Sequence, residues 1–262
     1  MTAPAFTVTE PVMGTVASLT VKGTRTVAAE TAFAAALARL RDDERVFSTY
    51  RVDSDVSRLR DEGLELGELD ARVAEVAERC RDLRLASGGR FDAHWQGWFD
   101  PTGYVKGWSV DAAAAAFDEL LADGVVEAVG LNVGGDMRLR TAPGSEHAWT
   151  VGIAHPVHAG VLLATVEIVD GAVATSGTAE RGAHLVDPRT GERRAGPVSA
   201  TVLADDLATA DAWATVAAIA GVDDFAWMPA APVASGVVWE HGDVRRFAGG
   251  VEVTAFRSAV AG

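Results

Sequence analysis

The sequence predicts an α+β fold in which helices pack on mixed or antiparallel sheets. Segments with apolar residues three and four positions apart, typical of amphipathic helices, are interspersed with shorter Val-rich or alternating runs, typical of strands. These segments follow no regular strand–helix alternation, which argues against a doubly wound parallel sheet. No repeat, low-complexity tract or long polar linker divides the 262 residues. We therefore expect one domain over residues 1–262, with two intertwined lobes around a ligand site as the alternative.

Local signals place the elements in order along the chain. Asp205 and Asp206 precede the fourth predicted helix as candidate N-caps, and Gly221 follows it where a helix should end. Residues 241–243 (His-Gly-Asp) predict a hairpin turn between two strands. The predicted helices cover residues 27–46, 70–87, 106–122 and 206–220. The predicted strands cover residues 6–10, 15–22, 126–133, 148–154, 161–169, 172–175, 198–204, 235–240 and 244–248.

Composition limits the class of protein. The formal net charge of −14 argues against non-specific nucleic-acid binding, which needs Lys and Arg to neutralise phosphates. An anionic ligand would need local help from a metal ion, helix N-termini or Gly-rich backbone. The single cysteine, Cys80, excludes an intrachain disulfide and is expected to be a buried or half-buried helix residue. No apolar run approaches the roughly 18 residues that span a bilayer, and no signal peptide is evident, so we expect a cytoplasmic protein without a membrane anchor of its own.

Four short segments place Gly, Asp, Ser or Thr between apolar runs, and each has a structural interpretation. Residues 13–15 (Met-Gly-Thr) predict a bulge or tight turn, with a ligand contact as an equally weighted alternative. Residues 47–57 are interpreted as a helix exit followed by the cap of a short next helix. Residues 87–92 are interpreted as a glycine-terminated helix end. Residues 132–136 (Asn-Val-Gly-Gly-Asp) predict a hairpin turn, a place where a ligand can lie close to the backbone.

A glycine-flanked lysine points to phosphate binding. Lys106 lies between Gly103 and Gly107 at the predicted start of the third helix. Backbone N–H groups, the positive end of the helix dipole and a mobile cation would together suit a phosphate. The GxxxxGK[ST] pattern of a P-loop is absent. A merely exposed Lys106 is the alternative.

The densest polar region covers residues 175–191. His184 has apolar neighbours, so a structural histidine is its default interpretation. Residues 187–191 (Asp-Pro-Arg-Thr-Gly) predict a tight turn. The number of polar and glycine positions is nevertheless difficult to assign to packing alone.

An acidic residue and a hydroxyl share one face of the fourth predicted helix. Asp211 and Thr215 are four residues apart, so their side chains project from the same face. A carboxylate with a hydroxyl suits a hard cation such as Mg²⁺. The alternative is an Asp–Thr pair that bonds internally or to the backbone. An Asp inside an otherwise apolar helix is unusual in either case.

Together these segments resemble the FAD:protein FMN transferases, the ApbE-type flavin transferase family. The matching pieces run from about residue 11 to 221 in the family's order: PVMGT, FSTYRVDSDVSRL, SGGRFDAHW, GYVKGWSVDAA, LNVGGDM, VGIAHP, AVATSGTAERGAHLVDPRTGE and VSATVLADDLATADAWATVAAIAG. The AVATSG…HLVDPRTG and LATADAWAT blocks are the most specific. The resemblance implies a flavin transferase architecture of T-fold-like type.

The resemblance also implies an activity. The chain would use Mg²⁺ to transfer FMN from FAD to a Ser or Thr hydroxyl of a target protein, releasing AMP. FAD and the target protein would be its partners. Two alternatives stay open: a Mg²⁺-dependent FAD pyrophosphatase that gives FMN and AMP, and a non-catalytic flavin-binding protein.

Site residues follow from the same resemblance. Asp211 and Thr215 would be the side-chain ligands of the metal, and Val105 would supply a backbone carbonyl. Lys106 would lie near the phosphates, and His184 would help to deprotonate the incoming hydroxyl. The positions that line or support the FAD site would be Met13, Gly14, Thr15, Tyr104, Asp136, Thr175, Ser176, Gly177, Glu180 and Asp187.

The chain departs from the family pattern in two places. About fifteen residues join its FDAHW and KG segments, where the family usually inserts several dozen. In this short connection, His94 and Trp95 replace small or β-branched residues. Thr178 and Ala179 replace a polar-aromatic pair before Glu180, which removes one expected stacking contact.

Overall fold

The computed structural model describes residues 4–178 and 185–253, and the elements below belong to these residues. The α-helices are α1 (Val27–Phe47), α2 (Asp55–Glu62), α3 (Ala71–Ala86), α4 (Thr102–Ala114), α5 (Asp118–Ala122) and α6 (Leu207–Ala220). The strands are β1 (Ala5–Val12), β2 (Thr15–Lys22), β3 (Ala128–Val133), β4 (Asp136–Thr141), β5 (Trp149–Ala154), β6 (Leu162–Ile168), β7 (Gly171–Gly177), β8 (Val198–Ala204), β9 (Ser235–Glu240), β10 (Asp243–Ala248) and β11 (Val251–Val253).

Nine of these strands form one sheet, in the order β1-β2-β3-β4-β7-β8-β9-β10-β11. Every neighbouring pair in it is antiparallel. Strands β5 and β6 leave the sheet and pair with each other as a separate two-stranded ribbon. The prediction of helices packed on antiparallel sheets is therefore confirmed.

The sheet is covered on both faces where β7 crosses it. Ala172 and Ala174 belong to the main hydrophobic core, whereas Val173 belongs to a second cluster. Because successive side chains of a strand point to opposite faces, β7 contacts the helices with one face and the ribbon with the other. The second cluster is completed by the buried residues Leu139, Val151 and Ile168.

Helix α6 packs on β7 and β8 and lies against α4. A glycine makes this close approach possible. A methyl group at Gly107 of α4 would lie 2.5 Å from the carbonyl oxygen of Leu207 and 2.8 Å from the Cα atom of Ala208. The backbones of the two helices therefore touch at the start of α6.

A carboxylate of α4 also holds the start of α6. Asp111 accepts hydrogen bonds from the backbone N–H groups of Leu207 (2.9 Å) and Ala208 (2.8 Å). Asp206, the N-cap of α6, accepts from the N–H group of Thr209 at 2.7 Å. Three N–H groups that a helix leaves unpaired in its first turn are thereby satisfied. Burial raises the pKa of Asp111 to about 6, against the opposing effect of these backbone hydrogen bonds.

Most predicted boundaries agree with the structure. Helices α1, α3 and α6 occupy the predicted ranges, and Gly221 ends α6 with a φ of 69°. Gly88 and Gly89, with φ of 62° and 80°, follow α3 as predicted. Cys80 is buried in α3, and burial raises the pKa of its thiol to about 12. The hairpin turns predicted at residues 132–136 and 241–243 join β3 to β4 and β9 to β10, and the bulge or tight turn predicted at residues 13–15 is the turn that joins β1 to β2.

The predicted helix 106–122 is wrong at its start and in its middle. Helix α4 begins four residues earlier because the Asp100 carboxylate accepts hydrogen bonds from both the N–H and the hydroxyl of Thr102. The helix gives way to a 3-10 turn at 115–117, next to the Ala114 carbonyl, which accepts a hydrogen bond from Arg140 at 3.4 Å. Lys106 therefore lies inside α4, not at a helix N-terminus as the sequence suggested.

Three elements were absent from the predicted helices and strands: α2, β4 and β11. The first corresponds to the short helix whose cap the sequence marked within residues 47–57, and β4 follows the hairpin turn predicted at residues 132–136. Ser54 caps α2, its hydroxyl accepting from the N–H group of Ser57 at 3.1 Å. Within residues 4–178 and 185–253, no helix combines the length and apolar composition that crossing a bilayer requires.

The Gly107 contact predicts a position-specific cost. Gly107→Ala should lower the free energy of unfolding by about 1–3 kcal/mol, because the added methyl group forces α4 away from α6. Gly67→Ala is the matched control, since a methyl group at Gly67 would meet no atom within 4 Å. Urea unfolding of both variants measures the difference. Equal stability of the two variants would contradict the close helix contact.

The raised pKa of Asp111 predicts a pH dependence of stability. Between about pH 4 and 6 the folded chain keeps the proton on Asp111 and the unfolded chain has lost it, so stability falls as the pH rises through this window. The loss amounts to at most about 3 kcal/mol and is complete above the folded pKa. Asp111→Asn does not titrate there, so the difference in free energy of unfolding, wild type minus variant, should decrease from pH 4 to 7.

Urea unfolding of both proteins at several pH values tests this expectation. Asp82→Asn, at an exposed position of α3, is the control for removing a carboxylate. If the difference in free energy of unfolding between the wild type and Asp111→Asn does not change over this pH range, burial does not raise the pKa of Asp111.

Candidate functional site

A cavity of about 660 Å³ lies where α4, α6, the ends of β7 and β8, and the ribbon meet. Its volume is in the range of small-molecule and cofactor sites. The β3–β4 hairpin, the connection between α3 and α4, the residues that follow β5, and residues 185, 186 and 188 also line it. The structure brings together in this wall seven of the residues that the sequence marked: Lys106, Asp136, Thr175, Ser176, Gly177, Asp211 and Thr215.

Asp136 occupies the point where two strands separate. The ladder between β4 and β7 stops at the pair Met137–Val173. One residue further, the carboxylate Oδ1 of Asp136 accepts a hydrogen bond from the N–H group of Thr175 at 2.9 Å. The buried side chain thus replaces a backbone partner and leaves its second oxygen directed to Lys106, with which it forms an ion pair.

Lys106 connects the sheet to α6. Its ammonium group pairs with Asp136 of β4 and lies 3.7 Å from Oδ2 of Asp211 in α6. The side chain is 22% exposed, so the charge is partly withdrawn from water. A cation is therefore held at the cavity wall between two carboxylates, by contacts that do not involve a helix terminus.

Asp211 and Thr215 lie one turn apart on α6, and both line the cavity. Asp211 is buried, at 5% exposure. The hydroxyl of Thr215 lies 3.1 Å from the hydroxyl of Ser176 in β7. The shared helix face predicted from their spacing is confirmed, and the described partner of the Thr215 hydroxyl is a neighbouring strand residue rather than Asp211.

The chemistry of these groups fits a hard cation. Carboxylate and hydroxyl oxygens are the ligands that Mg²⁺ accepts, usually one or two carboxylates with substrate phosphates and water. Among residues 4–178 and 185–253, no group of three or more His, Cys, Asp and Glu side chains could hold a metal ion. The described side chains offer Asp211 and Thr215 as two oxygen groups on one helix face.

Several predicted residues lie away from the cavity. Met13 and Gly14 form the tight turn of the β1–β2 hairpin, with φ of 55° and 67°. Thr15 follows that turn and lies close to the β3–β4 turn, because a methyl group added at Gly134 would lie 2.9 Å from the Thr15 hydroxyl. Gly134 lines the cavity, whereas Thr15 is not among the described lining residues. Tyr104 and Val105 are buried in the main core, and burial raises the pKa of the Tyr104 phenol to about 12. The predicted FAD and metal contacts of these residues stay predictions.

The residues of the polar region at 175–191 do not all line the same cavity. Asp187 begins the predicted tight turn, its carbonyl accepting from the N–H group of Gly191 at 2.8 Å. Its carboxylate pairs with Arg189, which holds the pKa of Asp187 below its usual range. Asp187 lines a second cavity of about 310 Å³ and not the first. Glu180 and His184 lie outside the described residues, so their predicted roles stay predictions.

Sequence reasoning missed several residues of the wall. His155 follows β5, and its Nδ1 atom accepts from the N–H groups of Val157 (3.1 Å) and His158 (3.2 Å). A neutral His155 therefore carries its proton on Nε2. The segment VGIAHP carried the signal, a histidine at the end of a strand. Trp95, Ser199 and Thr201 also line the cavity.

The segment 87–92 does more than end a helix. Arg90, Phe91 and Asp92 line the cavity. Arg90 also pairs with Asp224, which Arg189 approaches to 3.9 Å. The Asp224 carboxylate therefore links the end of α3 to the tight turn at residues 187–191.

Comparison with known proteins finds a matching family and a similar curated protein. The model of the ApbE family matches residues 13–98 and 96–233, most of the chain. A curated relative, the FAD:protein FMN transferase of Rhodobacter capsulatus, is 34% identical over 167 residues, which cover 60% of this chain and 31% of the relative. The chain thus matches about a third of the length of that protein.

Solved structures agree in fold. The flavin transferase ApbE of Vibrio cholerae superposes with a TM-score of 0.73 at 20% identity, over 94% of this chain and 97% of that one. The ApbE protein of Thermotoga maritima gives 0.78 at 21% identity, over 93% and 97%. The flavinyl transferase ApbE of Pseudomonas stutzeri, in its apo form, gives 0.72 at 20% identity, over 94% and 95%. With the family model covering most of its length, this chain belongs to the ApbE family.

Proposed function

We propose that this protein transfers FMN from FAD to a Ser or Thr hydroxyl of a target protein, releasing AMP, with Mg²⁺ as its metal. One observation carries the proposal: Lys106, Asp136, Asp211 and Thr215 converge in a large cavity of a chain that belongs to the ApbE family. The similarity to an FAD:protein FMN transferase over 167 residues supports the choice of substrate.

The proposed reaction is a phosphoryl-group transfer. The acceptor oxygen attacks the phosphorus atom of the FMN half of FAD and forms a new ester bond. The bond from that phosphorus to the bridging oxygen breaks, and AMP leaves with the electron pair. The proton of the hydroxyl passes to a base, for which we propose His184.

Positioning and charge stabilisation carry most of the catalysis in phosphoryl transfer. In this chain, Lys106 would supply a fixed positive charge to the diphosphate, and its ion pair with Asp136 orients it. A local cation matters here because the net charge of −14 repels an anionic dinucleotide. The Asp136–Thr175 hydrogen bond ties this charge to the end of β7, where Ser176 and Gly177 would contact FAD.

The proposed metal ligands are Asp211, Thr215 and the backbone carbonyl of Val105. When bound, Mg²⁺ would neutralise charge that develops on the phosphate oxygens. Asp211 and Thr215 project from one helix whose start is fixed by Asp111, so their spacing is set by the backbone. This arrangement would offer the ion two side-chain ligands on one helix face, with the phosphates of FAD as further ligands.

The proposal predicts the effect of removing the carboxylate. Asp211→Ala should lower FMN transfer by about 100-fold or more, because the metal loses its charged protein ligand. Asp82→Ala, at an exposed position of α3, is the matched control and should transfer at the wild-type rate. The assay combines FAD, Mg²⁺ and a co-expressed protein with accessible Ser and Thr residues. Mass spectrometry detects the FMN adduct, and chromatography detects AMP.

A second readout separates metal binding from turnover. Mg²⁺ with FAD should raise the melting temperature of the wild type and of Asp82→Ala more than that of Asp211→Ala. Undiminished transfer by Asp211→Ala would refute the metal assignment. Release of AMP and free FMN without an adduct would indicate the pyrophosphatase, and bound FAD without products would indicate a non-catalytic flavin-binding protein.

A further inference from the structure

The short connection between α3 and α4 presents an indole at the cavity. Trp95 lines the cavity and is 41% exposed. Hydrogen bonds hold the connection on both sides of it. Asp92 accepts from the N–H group of His94 and from Arg84, both at 2.8 Å, and the N–H group of Asp100 donates to the carbonyl of Ala93 at 2.7 Å.

Buried aromatic residues anchor the same connection. Phe91 and Phe99 are each 5% exposed and belong to the main core. The ring of His94 lies 5.3 Å from that of Phe99. The backbone around Trp95 is therefore fixed by packing as well as by hydrogen bonds.

A second tryptophan of this connection has a different environment. Trp98 is half-buried, and the guanidinium of Arg60 lies 5.0 Å from its ring centre. Trp98 does not belong to the described wall of the cavity. The two tryptophans, three residues apart, can therefore be compared: Trp95 lies at the cavity, and Trp98 packs against the Arg60 side chain.

Apart from Phe91 and Trp95, the described residues of the cavity wall are small, polar or aliphatic. Among the described lining residues, Phe91 and Trp95 carry the large aromatic rings, and Phe91 is buried. Leaving an indole 41% exposed forgoes the stability that its burial would give. A flat aromatic ligand recovers that stability by stacking on the indole.

We propose that Trp95 is a binding residue that stacks on one of the two ring systems of FAD. The identity of the ligand rests on the proposed function, whereas the placement of the indole does not. FAD carries two flat rings, isoalloxazine and adenine, and either has the face that an indole accepts. Stacking of a base on an aromatic side chain changes affinity by about 5- to 150-fold.

Binding measurements on the full chain test the proposal. FAD is titrated in the absence of acceptor, with Trp95→Ala, Trp95→Phe and the control Trp98→Phe. Trp95→Ala should weaken FAD binding by about tenfold. Trp95→Phe should stay close to the wild type because it keeps an aromatic face, and Trp98→Phe should bind like the wild type. Protection of the buried Cys80 thiol from a thiol reagent checks that each variant is folded.

Separate titrations with FMN and AMP identify the ring. If the indole stacks on isoalloxazine, Trp95→Ala weakens FMN binding and spares AMP, and the reverse holds for adenine. Wild-type affinity of Trp95→Ala for FAD overturns the proposal. A folded Trp95→Phe as weak as Trp95→Ala also overturns it, and so does a loss for FAD seen with neither FMN nor AMP.

The outcomes also separate this proposal from the proposed function. A wild type that binds FAD through Trp95 but transfers no FMN supports the stacking and refutes the transferase. A Trp95→Ala variant that binds FAD normally and loses transfer alone overturns the stacking and places Trp95 at the acceptor. A wild type that binds no FAD overturns both.

Discussion

The contact between α4 and α6 is the constraint on which the rest of the site depends. Gly107 lets the two backbones meet, and Asp111 spans the junction by binding the first N–H groups of α6. The same α4 carries Lys106, and the same α6 carries Asp211 and Thr215. A lysine and an aspartate that are about a hundred residues apart in the chain therefore reach 3.7 Å from each other. Burial of the Asp111 carboxylate, reflected in its raised pKa, is the energetic cost of this junction.

The local signals of the sequence predicted most of the framework. Caps and glycines at helix ends, turn residues in hairpins and the period of apolar residues depend on neighbours in the chain, so Asp206 and Gly221 could be assigned correctly. The spacing of Asp211 and Thr215 placed them on one face for the same reason. The start of α4 was missed because the Asp100 carboxylate accepts hydrogen bonds from the N–H group and the hydroxyl of Thr102, so that the helix begins at Thr102.

Contacts between distant segments could not be predicted in this way. The ion pair of Lys106 with Asp136 depends on the separation of β4 from β7, which no local pattern shows. His155 enters the wall through a ribbon that leaves the main sheet. The core position of Tyr104 follows from the extra turn of α4. Resemblance to the family implied a set of site residues, and the structure shows which of the described ones meet.

The narrow join between β4 and β7 has a mechanical consequence. Three residue pairs connect these strands, against six for β3–β4 and six for β7–β8. This seam divides the sheet into a half built from residues before 142 and a half built from residues after 170. Asp136 belongs to the first half and Thr175 to the second, and the hydrogen bond between them lies beside the seam. A ligand that contacts the cavity wall on both sides of the β4–β7 ladder would therefore connect the two halves of the sheet.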